Sequence, residues 1–262
     1  MKTPFLLFAL FISTLFISCS STRVSKENRA GKDELDLYIL MGQSNMAGRG
    51  VISDSLKSLQ SDKVLMLTKD NKWTIARHPV HFDKPGVAGV GPGLSFGMAM
   101  ADAYPGIKIG LIPCAIGGTS IDKWQPGAFD SATSTHPYDD AVKRITEAMK
   151  HGKVKGMLWL QGESDSNEAK VAQYPKKFKQ LVGRIRKLTG VKNLPVIAGE
   201  LGRYKQNYQL FNQELQKLPL VIPHTAVVSS KGLTDKGDLT HFDSKSANIY
   251  GLRFAIKMQK MH

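Results

Sequence analysis

Leu35-Asp36-Leu37-Tyr38-Ile39-Leu40-Met41-Gly42-Gln43-Ser44-Asn45 is the stretch on which the fold turns. Apart from Asp36, every residue before the glycine is apolar. A strand apolar on successive residues is buried on both faces, as in a parallel sheet covered by helices, and not alternately wet and dry. Glycine then ends the run, and three polar residues follow at its carboxyl end. Working outward, short apolar runs at 64–67, 107–113, 156–160, 194–198 and 225–228 read as further strands. Helical periodicity separates them at 94–103, 138–149, 174–188, 204–218 and 247–258. This alternation predicts an α/β fold, a three-layer α/β/α sandwich with a mostly parallel sheet. No linker composition interrupts residues 34–262, which read as one domain.

In sheets of this kind ligands bind beyond the carboxyl ends of the strands. Four glycine-bearing polar loops fall there: Gly42-Gln43-Ser44-Asn45, Ala115-Ile116-Gly117-Gly118-Thr119-Ser120, Gln161-Gly162-Glu163-Ser164-Asp165 and residues 232–242. Ser44, on a tight turn among small residues, has the setting a nucleophilic hydroxyl needs. A helix cap for a helix starting at Asn45 is the other reading of the same serine. The Gly-x-Ser-x-Gly elbow of α/β-hydrolases is absent. Asp238-Leu239-Thr240-His241 spaces a carboxylate so that it can reach the imidazole nitrogen facing away from a serine. A turn residue beside a surface histidine would look the same. Gly117 and Gly118 can present backbone N–H groups at close range, and the Gln161 amide could donate to a developing oxyanion. Glu163 and Asp165 offer an alternative chemistry, the paired carboxylates of a glycosidase. No metal-ligand spacing occurs among the histidines and cysteines, and the glycines of 89–97 lack the lysine of a phosphate loop.

The first 33 residues read as export and attachment. Met1-Lys2 is a basic start, residues 5–16 are apolar, and Ile17-Ser18-Cys19-Ser20 ends the run. Residues 1–18 therefore read as a signal peptide, too short at its core to span a membrane. Cys19 resembles the lipidated cysteine of a bacterial lipoprotein, although Phe16 is unusual for that motif. Residues 19–33 then form a polar tether, and the protein is expected in the cell envelope, touching membrane only through the lipid on Cys19. Cys114, at a strand end, is a buried core thiol with no disulfide partner once Cys19 is lipidated. The net charge of +14 comes from 36 basic against 22 acidic residues spread along the chain. The densest cluster, Lys176, Lys177, Lys179, Arg184, Arg186 and Lys187, has helical spacing and reads as a solvated face, so nucleic acid is not an expected partner.

Taken together, the four loops resemble the blocks of SGNH-type carbohydrate acetylesterases, more narrowly the sialate O-acetylesterase-like branch that includes carbohydrate esterase family six. The similarity runs from about residue 35 to 254 with the blocks in order, and Gln161 stands where the wider SGNH pattern has asparagine. The resemblance implies a flavodoxin-like sandwich and a two-step acyl transfer on acetylated carbohydrate, without metal or cofactor. It implies Ser44 as nucleophile, His241 as base and Asp238 as its orienting acid. The oxyanion hole would be the N–H groups of Ser44 and Gly118 with the Gln161 amide. Gln43, Asn45 and Glu163 are expected in substrate-contacting or structural roles, Glu163 as a hydrogen-bonding strut. Besides the glycosidase, an anchored glycan-binding protein with a decayed site is a rival. The complete set of nucleophile, base and acid speaks against decay.

Overall fold

The computed structural model describes Met1 and residues 34–262. Met1 apart, the segment read as a signal peptide and the tether with Cys19 lie outside the described residues. In chain order the elements are β1 (Leu35–Gly42), α1 (Ser44–Ala47), α2 (Asp54–Lys57), β2 (Val64–Leu67), β3 (Trp73–Ile75), α3 (Gly93–Ala103) and β4 (Ile109–Pro113). They continue with α4 (Pro137–Ala148), β5 (Gly152–Leu160), α5 (Glu168–Val171), α6 (Tyr174–Thr189), β6 (Val196–Gly199), α7 (Gln206–Leu215), α8 (Leu218–Val221), β7 (Thr225–Val228) and α9 (Ser244–Gln259).

The strands form one seven-stranded sheet in the order β3-β2-β4-β1-β5-β6-β7. Every pairing is parallel except that of β2 with β3. β1 lies in the middle, which is why its residues are apolar on both faces. Leu35, Leu37, Ile39 and Met41 enter the core on one face, with Tyr138 and Ile145 of α4, Phe178, Leu181 and Ile185 of α6, and Phe211 of α7. Tyr38 and Leu40 enter the core on the other, with Leu94, Phe96 and Met100 of α3 and Tyr250, Phe254 and Met258 of α9. Full burial of one such side chain contributes roughly 1.5–3 kcal/mol. This is the α/β/α architecture expected from the sequence.

The differences lie at edges. β3 has no counterpart among the apolar runs: three half-buried residues, entered through a turn at Thr68–Lys72, are too few to carry a periodic signal. β5 begins at Gly152, four residues before its apolar run, because its polar start pairs with the beginning of β1. The helix expected over 204–218 is α7, shorter at both ends, with a separate short helix α8 starting where it was expected to stop, and α9 begins at Ser244 rather than Ala247 because Asp243 caps it. Of the six basic residues of α6, Lys176, Lys179 and Lys187 are exposed, as expected of a solvated face, whereas the other three tie the helix to its surroundings. Lys177 pairs with Asp122 at 2.7 Å, Arg184 donates to Trp124 O, and Arg186 donates to Leu194 O and Pro223 O. Among the described residues no helix is long and apolar enough to cross a membrane.

Candidate active site

The carboxyl ends of β1, β4, β5 and β7 all lead into the polar loops picked out above. Gly42 leaves β1 with φ +137°, and a Cβ there would stand 2.1 Å from Leu160 O of β5, so only glycine lets the chain turn out of the sheet. Gln43 N–H donates to the same Leu160 oxygen at 3.0 Å. α1 starts immediately, with Gln43 at its cap position and no side-chain capping bond. Ser44 is thus the first helical residue and not the cap. Its hydroxyl lies instead 2.9 Å from His241 Nε2.

His241 reaches Ser44 from the loop between β7 and α9. Asp238 accepts from Thr240 N–H at 3.0 Å and His241 N–H at 2.7 Å through Oδ1, while Oδ2 faces His241 Nδ1 at 2.7 Å. The three-residue spacing works because one carboxylate organises both the loop backbone and the ring. Asp235 organises backbone alone, accepting from the Gly237 and Leu239 N–H groups. Slight burial would raise the Asp238 carboxyl, but the donors from His241 and Thr240 outweigh it and hold its pKa down at about 2. Asp243, the other acid near His241, accepts from Ser246 N–H at 2.7 Å as the cap of α9.

Gly117 and Gly118 follow β4. Gly117 N–H donates to Asp83 Oδ2 at 2.8 Å, and Asp83 is paired with Arg49 at 2.6 Å in a buried ion pair. A Cβ on Gly117 would meet Arg49 Nη2 at 2.3 Å, so the ion pair can brace the loop only against glycine. Burial would raise the Asp83 carboxyl, but the Arg49 guanidinium holds it below the ordinary range. Gly118 N–H and Ser44 N–H meet no acceptor among the described residues. Nothing in the sequence spacing connected Arg49 and Asp83 to this loop; their contact is purely tertiary.

Gln161 differs from its expected part. Its side chain is fully buried, and its amide nitrogen faces Asp165 Oδ2 at 2.6 Å, Thr119 O at 3.1 Å and Gln43 Oε1 at 3.2 Å. Two N–H hydrogens are already shared among three acceptors, leaving none for an oxyanion. Its Oε1 accepts from Tyr174 Oη, which in turn accepts from Trp159 Nε1. Gln161 and Gln43 are therefore part of a buried network under the site. Asp165 belongs to it too, at 0 % exposure with Ile121 N–H and Gln161 on one oxygen. That burial removes it from any part in a carboxylate pair working on a glycosidic bond. Glu163 accepts from Asn45 Nδ2, and burial raises its carboxyl. Asn45 also donates to Thr240 O at 2.9 Å and accepts from Phe242 N–H at 3.0 Å. Among the described residues no cluster of three His, Cys, Asp or Glu is arranged to hold a metal ion.

Residues 34–260 match the model of a family described as carbohydrate esterase, sialic acid-specific acetylesterase. The Arabidopsis thaliana protein named "Probable carbohydrate esterase At4g34215" is 33 % identical over 241 residues, covering 84 % of this chain and 88 % of its own. The crystal structure of that plant protein superposes with a TM-score of 0.78, over 87 % of this chain and 98 % of the plant chain. NanS, at 18 % identity and a TM-score of 0.69 over 87 % and 98 % of the two chains, shares the fold. So does XAC1771, described as a carbohydrate acetylesterase from Xanthomonas citri, at 18 % identity and a TM-score of 0.66 over 86 % and 56 %. A family match over nearly all the described residues makes this chain a carboxylic ester hydrolase, and it belongs to the sialic acid-specific acetylesterase family of carbohydrate esterases.

Proposed function

We propose that the protein removes O-acetyl groups from carbohydrate hydroxyls, with Ser44 as nucleophile, His241 as base and Asp238 as the acid that orients it. The observation that carries this is the continuous row from Ser44 Oγ through His241 to Asp238, at 2.9 and 2.7 Å. Ser44 Oγ attacks the acetyl carbonyl carbon while its proton passes to His241 Nε2. Asp238 beside Nδ1 stabilises the imidazolium that forms. The developing oxyanion faces the free N–H groups of Ser44 and Gly118, a two-donor hole without Gln161. The carbon–oxygen bond to the sugar then breaks, and the sugar oxygen takes the proton from His241. Water attacks the acetyl-serine by the same relay, releasing acetate.

Acetylated glycans and acetylated sialic acids are the substrate classes in view, since the family description names sialic acid and the relatives are carbohydrate esterases. Acetate release from a panel of both is the measurement. Ser44→Ala is expected to lower kcat by about 10⁶ with the fold intact, as removing the nucleophile of such a triad does. Retention of more than about a tenth of the wild-type rate would sink the reading, because a positioned nucleophile contributes far more.

We infer further, from residues 1–33, that the chain is exported as the domain 34–262 on a tether lipidated at Cys19. Cys19→Ser is expected to lose lipid labelling and to leave the membrane fraction. Absence of lipid on the wild-type protein would reduce the segment to a plain secretion signal.

A further inference from the structure

Asn45 directly follows Ser44, yet its carboxamide serves two other loops. Its Oδ1 accepts from Phe242 N–H at 3.0 Å, and its Nδ2 donates to Thr240 O at 2.9 Å and to Glu163 Oε1. Thr240 and Phe242 are the residues on either side of His241. An amide can fill these three places in one orientation only, with oxygen toward Phe242 and nitrogen toward Thr240 and Glu163. Two of the partners are backbone atoms. Glu163 alone is a side chain, so it is the element of this arrangement that the choice of residue controls.

We infer that Glu163 is a positioning residue: it holds the Asn45 amide, and through it the peptide groups flanking His241, so that the imidazole stays within reach of Ser44. The inference rests on the reading of Ser44 and His241 given above. Glu163 is not placed as the acid serving His241, because His241 Nδ1 already faces Asp238 Oδ2 at 2.7 Å. The second Glu163 oxygen is buried and meets no partner, which a carboxylate would tolerate badly and a neutral carboxyl better. Burial accordingly raises the Glu163 carboxyl, against the hydrogen bond from Asn45 and the nearby N–H groups of Glu163 and Gly162, and the charge of Asp165 adds a smaller push in the same direction as burial. The task needs an acceptor oxygen, not a charge.

That distinction makes the inference testable by exchanging donor and acceptor. Initial rates on an acetylated sugar are compared for Glu163→Ala, Glu163→Gln, Asn45→Asp and the double variant Asn45→Asp/Glu163→Gln, with Ser44→Ala as control. Glu163→Ala is expected to lower kcat by about 10²-fold at nearly unchanged KM, the usual cost of a displacement of about 1 Å in a catalytic group. Glu163→Gln keeps the acceptor and should restore most of that loss. Asn45→Asp keeps the acceptor for Phe242 but sets oxygen against the oxygens of Glu163 and Thr240, and should fall lower still. In the double variant the glutamine nitrogen can donate to the new carboxylate at position 45. It should recover about tenfold over Asn45→Asp, the scale of coupling between contacting residues.

Equal losses in Glu163→Gln and Glu163→Ala would overturn the inference in favour of a required carboxylate. A double variant no better than Asn45→Asp would overturn it as well, and that comparison stands even if Glu163→Ala fails to fold. An active Ser44→Ala protein would instead bring down the underlying reading. A dead Ser44→Ala protein with a fully active Glu163→Ala protein would bring down only this inference.

Discussion

Gln43, Ser44 and Asn45 are 3 %, 6 % and 3 % exposed, whereas Leu239, two residues from His241, is 54 % exposed and adopts φ +54°. The first segment is held by the fold: it leaves the central strand between two neighbours and sits over a buried network of Gln161, Asp165 and Tyr174. The second is held largely by itself, through the two aspartates that fold their own loop and through the reach of Asn45 across to it. A nucleophile anchored in the core and a base on a self-supporting loop respond to different perturbations. Damage to the loop should cost rate without stability, and damage to the scaffold should do the reverse.

The largest expected effect tests the loop. Asp238→Asn keeps an oxygen to accept from the backbone N–H groups of Thr240 and His241, so the loop should survive. It places an NH₂ against the ring nitrogen, and loss of the orienting carboxylate costs about 10⁴ in kcat through the wrong tautomer. Circular dichroism and melting temperature should stay as in the wild type. A loss of less than about tenfold would move the acid away from Asp238, since the tautomer effect is far larger than that.

Acid should weaken the fold through a buried histidine while the carboxylate of the loop persists. His78, in the segment between β3 and α3, is buried with neither ring nitrogen partnered, and burial pushes its pKa down to about 4. His81 nearby is likewise pushed down by burial. Between about pH 6.5, the unfolded value, and about 4 the unfolded chain binds the extra proton and the folded one does not. The stability is therefore complete above that window and lost as pH falls through it, by on the order of 3 kcal/mol for His78. Asp238, with its pKa at about 2, remains a carboxylate throughout. Melting temperature followed from pH 7 to 4 should fall, and His78→Phe should flatten the fall. An unchanged slope in that variant would remove His78 as the cause.

The smallest effect sharpens the contrast between the two acids that bracket His241. Asp243→Asn exchanges one good helix cap for another and should cost about 1 kcal/mol or less. Its kcat should match the wild type within error. If it proved the inactive variant and Asp238→Asn the active one, the two acids would have exchanged roles.

Much of this was legible in the linear chain. The doubly buried run at 35–41 implied a central parallel strand, because a strand with helices on both sides has no wet face to mark with polar residues. The placement of four polar loops at strand ends, and the spacing of Asp238 to His241, followed from local geometry, which sequence encodes directly. What sequence could not supply is which side chains are already occupied. Gln161 carries a donor amide at a strand end, but Asp165, Thr119 and Gln43, from three different loops, share that amide between them. Asn45 looked like a residue beside the nucleophile, and only the packing of β7's loop against β1's brings Thr240 and Phe242 to it. Arg49 and Asp83 gave no signal because ion pairing between distant positions leaves no period or motif. Local propensity and hydrophobic pattern determine elements and their order, whereas the sharing of hydrogen bonds among distant loops is decided only when the tertiary structure closes.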